Sequence, residues 1–232
     1  FDNGGAGFTN AGAIGTPRIR TDALSNQESE FVLAGEENVG GGMSAFFRCA
    51  TTMDLVGGAG ATTSICGRTS YIGLKSALGA LSFGNNDTPA KRMAALYDPF
   101  PIAAAMGQGA QMWNATANGT TNGTTPASFA RRQANLVTYD TPTINGFDAA
   151  FAFSTAYEAT GVNSAATIQK PRMWSAMVNY NNGPLSLGVA YERHVDYNPG
   201  AAVNYTGGND AMYSLAAGYT FMGSLRLSGI YN

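Results

Sequence analysis

The chain has 232 residues, and its 13 Lys and Arg against 15 Asp and Glu give a formal net charge of −2. Charges this few and this balanced exclude the basic footprint that nucleic-acid binding requires. With 30 glycines, 11 tyrosines and 12 phenylalanines, the composition favours a β-rich chain. No apolar run approaches the ~20 residues of a membrane-spanning helix, although a barrel strand would escape such a search.

Alternation of apolar and polar residues predicts about ten strands of roughly ten residues each. Short turns join some of them and long polar segments join the others, as in an antiparallel sheet. In chain order, the predicted strands are 28–37, 42–52, 66–75, 79–85, 131–142, 146–158, 171–181, 184–195, 211–221 and 224–232.

The two faces of the predicted strands differ in character. One face is aliphatic in the middle of the strands and carries Tyr and Phe toward their ends, while the opposite face is small and sparsely charged. A soluble sandwich would cover its solvated face with Lys, Glu and Thr. The pattern is instead typical of a transmembrane β-barrel, whose apolar face meets lipid between two aromatic girdles.

The first predicted hairpin, with the glycine-rich tip GEENVGGGM, illustrates this pattern. Phe31 and Phe47 share its apolar face, and Glu30 and Arg48 share the other. Arginine next to phenylalanine suits a wall with lipid on one side and water on the other. We therefore predict that Glu30 and Arg48 face a water-filled lumen.

The two cysteines, Cys49 and Cys66, flank a loop rich in Gly and Thr. Two thiols and a single histidine are too few ligands for a zinc site. We favour a disulfide across that loop, which would indicate an oxidising compartment; the other interpretation is two unpaired small side chains. Strict alternation puts the two cysteines on opposite faces, so a bond would need a bulge or loop at one end.

One connection, residues 86–130, is about forty-five residues long and has no sustained alternation. A connection of this length inside a compact protein is normally functional or disordered. Its first half is apolar enough to pack, whereas its second half is polar and of low complexity. We interpret its Asn-x-Thr triplets, at Asn114, Asn118 and Asn122, as part of a flexible polar tract rather than glycosylation sites.

No motif of the sequence predicts catalysis or cofactor binding. The glycine-rich stretches at Gly57 and Gly107 lack the strand-to-helix setting and the lysine of a phosphate-binding loop. His194 is the sole histidine, and the sequence places no partner cluster beside it. We therefore predict no catalytic residue, no metal site and no cofactor.

Four ordered blocks resemble the general porins of Gram-negative outer membranes. They are SEFVLAGEENVGGGM from Ser29, ICGRTSYIGLKSALGALSFGNNDTP from Ile65, YDPF from Tyr97 and RRQANLVTYDTPTINGFDAAFAFS from Arg131. The resemblance implies an all-β fold, an antiparallel transmembrane β-barrel of the sixteen-stranded trimeric type. In such barrels the third loop folds into the pore, and here residues 86–130 match that pore-constricting loop.

The resemblance also implies which charges narrow the pore, because the family sets loop acids against wall arginines. Asp87 and Asp98 are the only acids of the 86–130 segment, so they are the candidate loop charges. Arg68 and Arg132 match family arginines, and Arg48 joins them by strand parity alone. Asp98 precedes a proline and equally suits a turn.

Two positions depart from the family pattern. Glu30 stands where family members usually carry a constriction arginine, and Asn85 replaces the arginine of the loop-entry motif. We expect a weaker anion preference than in members that keep the arginine, or a mild cation preference. The other interpretation is that Glu30 pairs with Arg48 or Arg68, which would leave the local field nearly neutral.

The matched blocks indicate that the chain covers family strands two to eleven, as a single barrel unit, 1–232, that is incomplete at both ends. An open sheet edge in lipid leaves backbone groups unpaired at several kcal/mol each, so we expect the whole protein to be longer. Residue 1 is not followed by a signal-peptide pattern, so we expect any such segment to be absent from this chain.

The implied function is passive diffusion of small hydrophilic solutes and ions across the outer membrane of a Gram-negative bacterium. The implied partners are membrane lipid, lipopolysaccharide and further copies in a homotrimer. Two alternatives stay open. One is a non-transport surface barrel, adhesive or structural, with a plugged lumen. The other is an outer-membrane hydrolase barrel, which would need a serine beside the single histidine.

Overall fold

The computed structural model describes residues 29–53, 64–98, 129, 131–155, 172–197 and 208–232, which form ten strands and one helix. All ten predicted strands are present, with boundaries that differ by at most four residues. In chain order the elements are β1 (Glu30–Gly40), β2 (Met43–Thr52), β3 (Ser70–Ser76), β4 (Gly79–Asp87), α1 (Pro89–Tyr97), β5 (Arg132–Asp140), β6 (Phe147–Ser154), β7 (Arg172–Asn182), β8 (Leu185–Tyr197), β9 (Gly208–Phe221) and β10 (Leu225–Tyr231).

The strands form one antiparallel sheet in chain order, with β1 and β10 at the edges of the described part. Tight connections, such as Gly41–Gly42 between β1 and β2, lie at one end, which we call the short-turn end. Both of these glycines have positive φ, 62° and 75°, as a two-residue hairpin turn requires. The connections that follow β2, β4, β6 and β8 are longer and lie at the opposite, long-loop end.

The sheet has an apolar face and a polar face. On the apolar face large side chains are exposed, among them Phe47 at 42%, Val189 at 52% and Leu215 at 56%. The polar face of β5 to β9 is buried and carries small or polar side chains such as Thr138, Ser175, Ala190 and Ser214. The predicted alternation is therefore observed, with α1 packed on the polar side. Within the described ranges, no helix has the length and apolarity to cross a membrane.

Helix α1 lies in the 86–130 segment, where the sequence predicted packing but no helix. Thr88 caps its first turn, with Oγ1 accepting a hydrogen bond from the Lys91 backbone N–H at 3.3 Å. Pro89 follows in the first turn, where its missing N–H costs nothing. Residues 99–128 and 130 of the segment, including the three Asn-x-Thr triplets, lie outside the described residues.

The described core lies between α1 and the polar face of the sheet. Met93 and Tyr97 of the helix are 0% and 1% exposed. They pack on a floor of small and flexible side chains from β6 to β9: Ala150, Met177, Ala190, Met212 and Ala216. Small residues on the strands let the helix approach the sheet closely. The burial of Met93 and Tyr97 therefore fixes the position of α1 on the sheet.

Candidate functional site

A cluster of charged side chains lies on the polar face at the long-loop end of the first strands. Glu30, at the start of β1, accepts from two arginines at once. Its Oε1 lies 2.9 Å from Arg48 Nη2, and its Oε2 lies 2.9 Å from Arg68 Nε. Each carboxylate oxygen therefore has a guanidinium partner, and the two arginines share one negative charge.

The same cluster continues to the end of β4. Asp87 Oδ1 lies 3.1 Å from Arg132 Nε and 3.0 Å from Lys91 Nζ. Lys91 belongs to α1, so this contact joins the helix to the wall. Burial and the nearby Arg132 lower the pKa of Arg68, while Asp87 raises it. The Glu30 group and the Asp87 group of charges therefore interact electrostatically.

We call these six side chains the charge cluster: Glu30, Arg48, Arg68, Asp87, Lys91 and Arg132. Four cations against two carboxylates give it a net charge of +2 (4 − 2). Its members are partly exposed, with side-chain exposures between 17% and 32%. The cluster is therefore accessible to water and to ions that pass the polar face.

The structure brings together five of the six side chains predicted to line a constriction, the sixth being Asp98. Asp98 ends α1, where its backbone N–H donates to the Ala94 carbonyl at 2.9 Å. Nine residues of helix separate it from the start of α1, which corresponds to about 14 Å along the axis. Asp98 thus lies at the opposite end of the helix from Asp87.

Sequence reasoning missed the two basic residues that α1 contributes. Lys91 joins the charge cluster, and Arg92 Nη2 lies 2.7 Å from Asp140 Oδ1 on β5. The missing signal was the helix itself, which begins at a Thr-Pro pair. Its buried positions, Ala90, Met93, Ala94 and Tyr97, have the spacing of one helical face, which turns Lys91 and Arg92 toward β4 and β5.

The helix is held against the wall by contacts at both ends. The Ala90 N–H, one of the unpaired donors of the first turn, donates to Ser175 Oγ of β7 at 3.1 Å. Tyr97 lies over Gly188 of β8, and the Arg226 guanidinium lies 5.8 Å from the centre of its ring. Burial raises the pKa of the Tyr97 phenol, so the buried hydroxyl stays neutral at ordinary pH.

The return end of the 86–130 segment also contacts the wall, at His194. The His194 ring is 0% exposed, with Nε2 3.2 Å from Glu192 Oε1 and Nδ1 2.9 Å from Asp210 Oδ1. Phe129 stacks on it, with ring centres 4.5 Å apart and planes inclined by 17°. Sequence analysis found no partners for this histidine, yet Glu192 lies two residues away on the same face of β8 and Asp210 pairs with it across β9. No group of residues in the described ranges could hold a metal ion.

Cys49 and Cys66 form a disulfide, with their Cα atoms 4.6 Å apart. Cys66 lies in a turn before β3 and has a positive φ of 57°, so it is free of the strand alternation that would separate the two thiols. The Arg68 N–H donates to the Ala50 carbonyl at 3.0 Å just beyond the bond. The disulfide therefore closes the base of the β2–β3 connection beside a member of the charge cluster.

Replacing both cysteines with serine should lower the free energy of unfolding by about 3 kcal/mol, because the unfolded chain loses a closed loop. Urea unfolding of detergent-folded protein, with and without dithiothreitol, measures this change. Reductant should destabilise the parent protein by a similar amount and leave C49S/C66S unchanged. Equal stability of the oxidised parent and the variant would contradict a structural role for the bond.

The ten-stranded sheet with a helix on its polar face matches known proteins. A family model described as Gram-negative porin matches residues 2–232. The chain belongs to the Gram-negative porin family. The family predicted from the ordered sequence blocks is thus confirmed, and with it the antiparallel all-β porin fold; the sixteen-strand count stays a prediction.

Two curated porins and two solved porin structures resemble the chain. It is 28% identical over 228 residues to outer membrane porin protein 32 of Delftia acidovorans, covering 96% of this chain and 59% of that protein. It is 28% identical over 175 residues to an outer membrane porin protein of Bordetella pertussis, and the match covers 71% of this chain and 42% of that protein. An anion-selective porin from Comamonas acidovorans superposes with a TM-score of 0.68 at 25% identity, over 90% of this chain and 58% of that one. Salmonella typhi OmpF, in complex with daunomycin, shares the fold with a TM-score of 0.62 at 14% identity. The superposition covers 93% of this chain and 60% of the OmpF chain.

This porin chain therefore spans about three fifths of the length of the Delftia relative and of the Comamonas structure. In the porin fold the polar face lines the lumen and the apolar face meets lipid. The charge cluster and α1 lie on the same side of the sheet, its polar face.

Proposed function

We propose that the chain forms the wall and the constriction of an outer-membrane channel through which small hydrophilic solutes and ions diffuse. The observation that carries this proposal is the seating of α1 on the polar face, where it holds Lys91 against the charged wall of β1 to β5. A helix in that position narrows the water-filled space, and the charge cluster beside it sets the local field. The pore-constricting segment is 86–130, of which residues 86–98, including α1, and residue 129 are described.

The net charge of the cluster favours anions. Glu30 takes up part of the positive charge of Arg48 and Arg68, but the cluster keeps a net +2. Charges facing a water-filled constriction act through an effective dielectric between those of water and protein, so each one counts for a passing ion. We propose a moderate anion preference, weaker than a wall with arginine in place of Glu30. The similar Comamonas porin, described as anion-selective, supports this sign.

For the whole protein we propose a sixteen-stranded barrel that assembles as a homotrimer in the outer membrane of a Gram-negative bacterium. Its neighbours there would be membrane lipid and lipopolysaccharide on the apolar face, and it would carry out no chemistry. Outer membrane porins are the curated relatives that the chain matches, which supports this location. The constriction residues proposed are Glu30, Arg48, Arg68, Asp87 and Arg132, together with Lys91. Asp98 belongs to the same 86–130 segment but lies at the far end of α1.

Swelling of liposomes that contain the purified full-length protein tests the diffusion function. We expect rapid swelling in small neutral sugars and a rate that falls steeply as sugar size increases, because the constriction sorts solutes by width. A non-transport barrel with a plugged lumen, the adhesive or structural alternative, gives no swelling above that of protein-free liposomes. That result, obtained with folded protein, would overturn the proposal.

The anion preference should decrease as the pH rises. Burial lowers the pKa of Lys91 from the usual 10.5, an effect that Asp87 opposes, so Lys91 loses its proton earlier than an exposed lysine. Loss of that proton removes one positive charge from the cluster. Reversal potentials measured between pH 7 and pH 10 should drift toward cation preference in the parent protein. In K91R the charge persists at every pH, so a drift of the same size in that variant would contradict the assignment to Lys91.

A further inference from the structure

A cavity of about 640 Å³ lies on the polar face of β1 to β5, with α1 contributing Arg92 to its lining. Tyr71 marks its upper part, directly across from Arg48 of the charge cluster, and Lys75 of the same strand marks its part nearer the short-turn end. None of the six side chains of the charge cluster lines it as described. The cavity is therefore separate from the cluster, and its volume is in the range of sites for small molecules.

Two aromatic rings form the apolar side of this cavity. Phe46 and Tyr71 lie edge to face, with ring centres 6.1 Å apart and planes inclined by 77°. A Cβ atom at Gly73 of β3 would overlap the Phe46 ring, so glycine lets this ring rest against the strand. Both aromatic side chains are half-buried and line the cavity. They offer an apolar surface against which the C–H groups of a small ring can pack.

Two hydroxyl groups line the same cavity, those of Tyr71 and Ser82. Ser82 is only 5% exposed. Among the residues that the structure describes, neither hydroxyl makes a hydrogen bond. Because an unpaired hydroxyl in a buried position costs free energy, Ser82 favours a ligand whose own groups can donate and accept hydrogen bonds.

Two ion pairs border the cavity, and their charges cancel. Lys75 Nζ contacts both carboxylate oxygens of Glu36 at 2.9 Å. Arg92 Nη2 contacts one oxygen of Asp140 at 2.7 Å. Two cations against two carboxylates give a net charge of zero (2 − 2), so the border holds no surplus charge for an ion. The second pair is joined through one nitrogen and one oxygen, which leaves further N–H donors and an acceptor for a neutral ligand.

We propose that this cavity is a binding subsite for a neutral sugar of one or two rings. A sugar ring packs against Phe46 and Tyr71, and its hydroxyls exchange hydrogen bonds with Tyr71, Ser82 and the pair of Arg92 and Asp140. Adjacent sugar hydroxyls both donate and accept, which this mixture of groups requires. The inference deepens the proposed function and rests on it for the access of solutes to the polar face, but binding itself does not require conduction.

Saturation-transfer NMR of the full-length protein tests this subsite, with sucrose as the probe and a detergent that has no sugar headgroup. We expect saturable binding by the parent protein. The variant Y71F/S82A removes both hydroxyls and keeps the rings and every charge. It should bind sucrose about tenfold more weakly, because two hydrogen bonds are lost.

The matched control is Y213F/S228A. Tyr213 lies on the apolar face of β9 and Ser228 lies on β10, and neither lines the cavity. This variant loses the same two kinds of group and should bind sucrose as the parent protein does. Equal weakening in the control, or binding by Y71F/S82A within twofold of the parent, would overturn the proposal.

A second comparison uses the unmodified protein and replaces the probe. An ethylene glycol oligomer of the same size as sucrose has ether acceptors along its chain and few donors, so it should bind at least tenfold more weakly. Succinate, whose charges suit the charge cluster, should leave the sucrose signal unchanged at equal concentration. Equal binding of the oligomer, or displacement of sucrose by succinate, would overturn a subsite for neutral sugars.

Single-channel recording of the same parent protein separates this inference from the proposed function. A parent protein that binds sucrose but carries no current would overturn the channel and keep the subsite. A conducting parent protein without saturable sucrose binding would overturn the subsite and keep the channel.

Discussion

Replacing Gly188 with valine should lower the single-channel conductance about twofold and exclude larger sugars, because the displaced helix reduces the open width of the constriction that conductance follows. A Cβ atom at Gly188 would lie 2.7 Å from Tyr97 Cε2 and 3.1 Å from Met93 Sδ. Those two side chains attach α1 to the wall, and a branched side chain between them and the strand forces the helix away from β8. The change lies on the wall and leaves every charge in place.

The matched control is Gly229→Val on β10. A Cβ atom at Gly229 meets nothing within 4 Å, so this glycine tolerates the same substitution without touching α1. G229V should conduct as the parent protein does. A folded G188V protein with the conductance and the sugar size limit of the parent would contradict the claim that the packing of α1 on β8 sets the width of the pore.

Replacing Glu30 with glutamine should increase the anion-to-cation permeability ratio about threefold, given one unit of charge in a partly water-screened constriction. The substitution removes the carboxylate that accepts from Arg48 and Arg68 at 2.9 Å each, and the net charge of the cluster rises from +2 to +3. The Arg48 guanidinium then becomes available to passing anions, and the Arg68 guanidinium loses one of its partners. Reversal potentials in a potassium chloride gradient measure the change.

Glu36→Gln is the control for this experiment. Glu36 also lies on the polar face of β1 and pairs with a single cation, Lys75 Nζ at 2.9 Å. It is six residues from Glu30, about 20 Å along the strand and outside the charge cluster. E36Q removes the same charge and should change the permeability ratio far less than E30Q. Equal shifts in the two variants would indicate that total charge, and not the cluster, sets the selectivity.

The strands were predictable because each one carries its own signal. Period-two alternation in a segment such as Leu185–Tyr197 depends only on that segment having one apolar and one polar face. Turn chemistry added the boundaries, as at Gly41 and Gly42, where positive φ requires glycine or a similar residue. Once the strands are assigned, their alternation alone predicts Glu30 and Arg48 on the same face, and the structure shows them there as an ion pair.

The contents of the 86–130 segment were harder to predict, because they depend on contacts between distant parts of the chain. The α1 sequence is nine residues long and its helix is stabilised by packing on β7 to β9, which no local pattern reveals. Lys91 entered the charge cluster only through that packing. His194 likewise received Asp210 from the next strand and Phe129 from the end of the segment.

Glu30 illustrates how structure resolves a question that sequence left open. Its position predicted either a change of ion preference or a neutral pair with one arginine. The geometry gives a third arrangement, in which one carboxylate contacts both Arg48 and Arg68 and orients them together. A single acidic residue can therefore hold two guanidinium groups in fixed positions on the wall while the surrounding charge stays positive.

The measurement that tests the channel most directly is single-channel recording of the purified full-length protein in a planar bilayer under a potassium chloride gradient. Stepwise conductance with a reversal potential on the anion side is the expected result, because the proposed channel passes a cluster of net charge +2. Folded protein that inserts but gives no current would contradict a diffusion function. A current with cation preference would keep the channel and contradict the role assigned to the charge cluster.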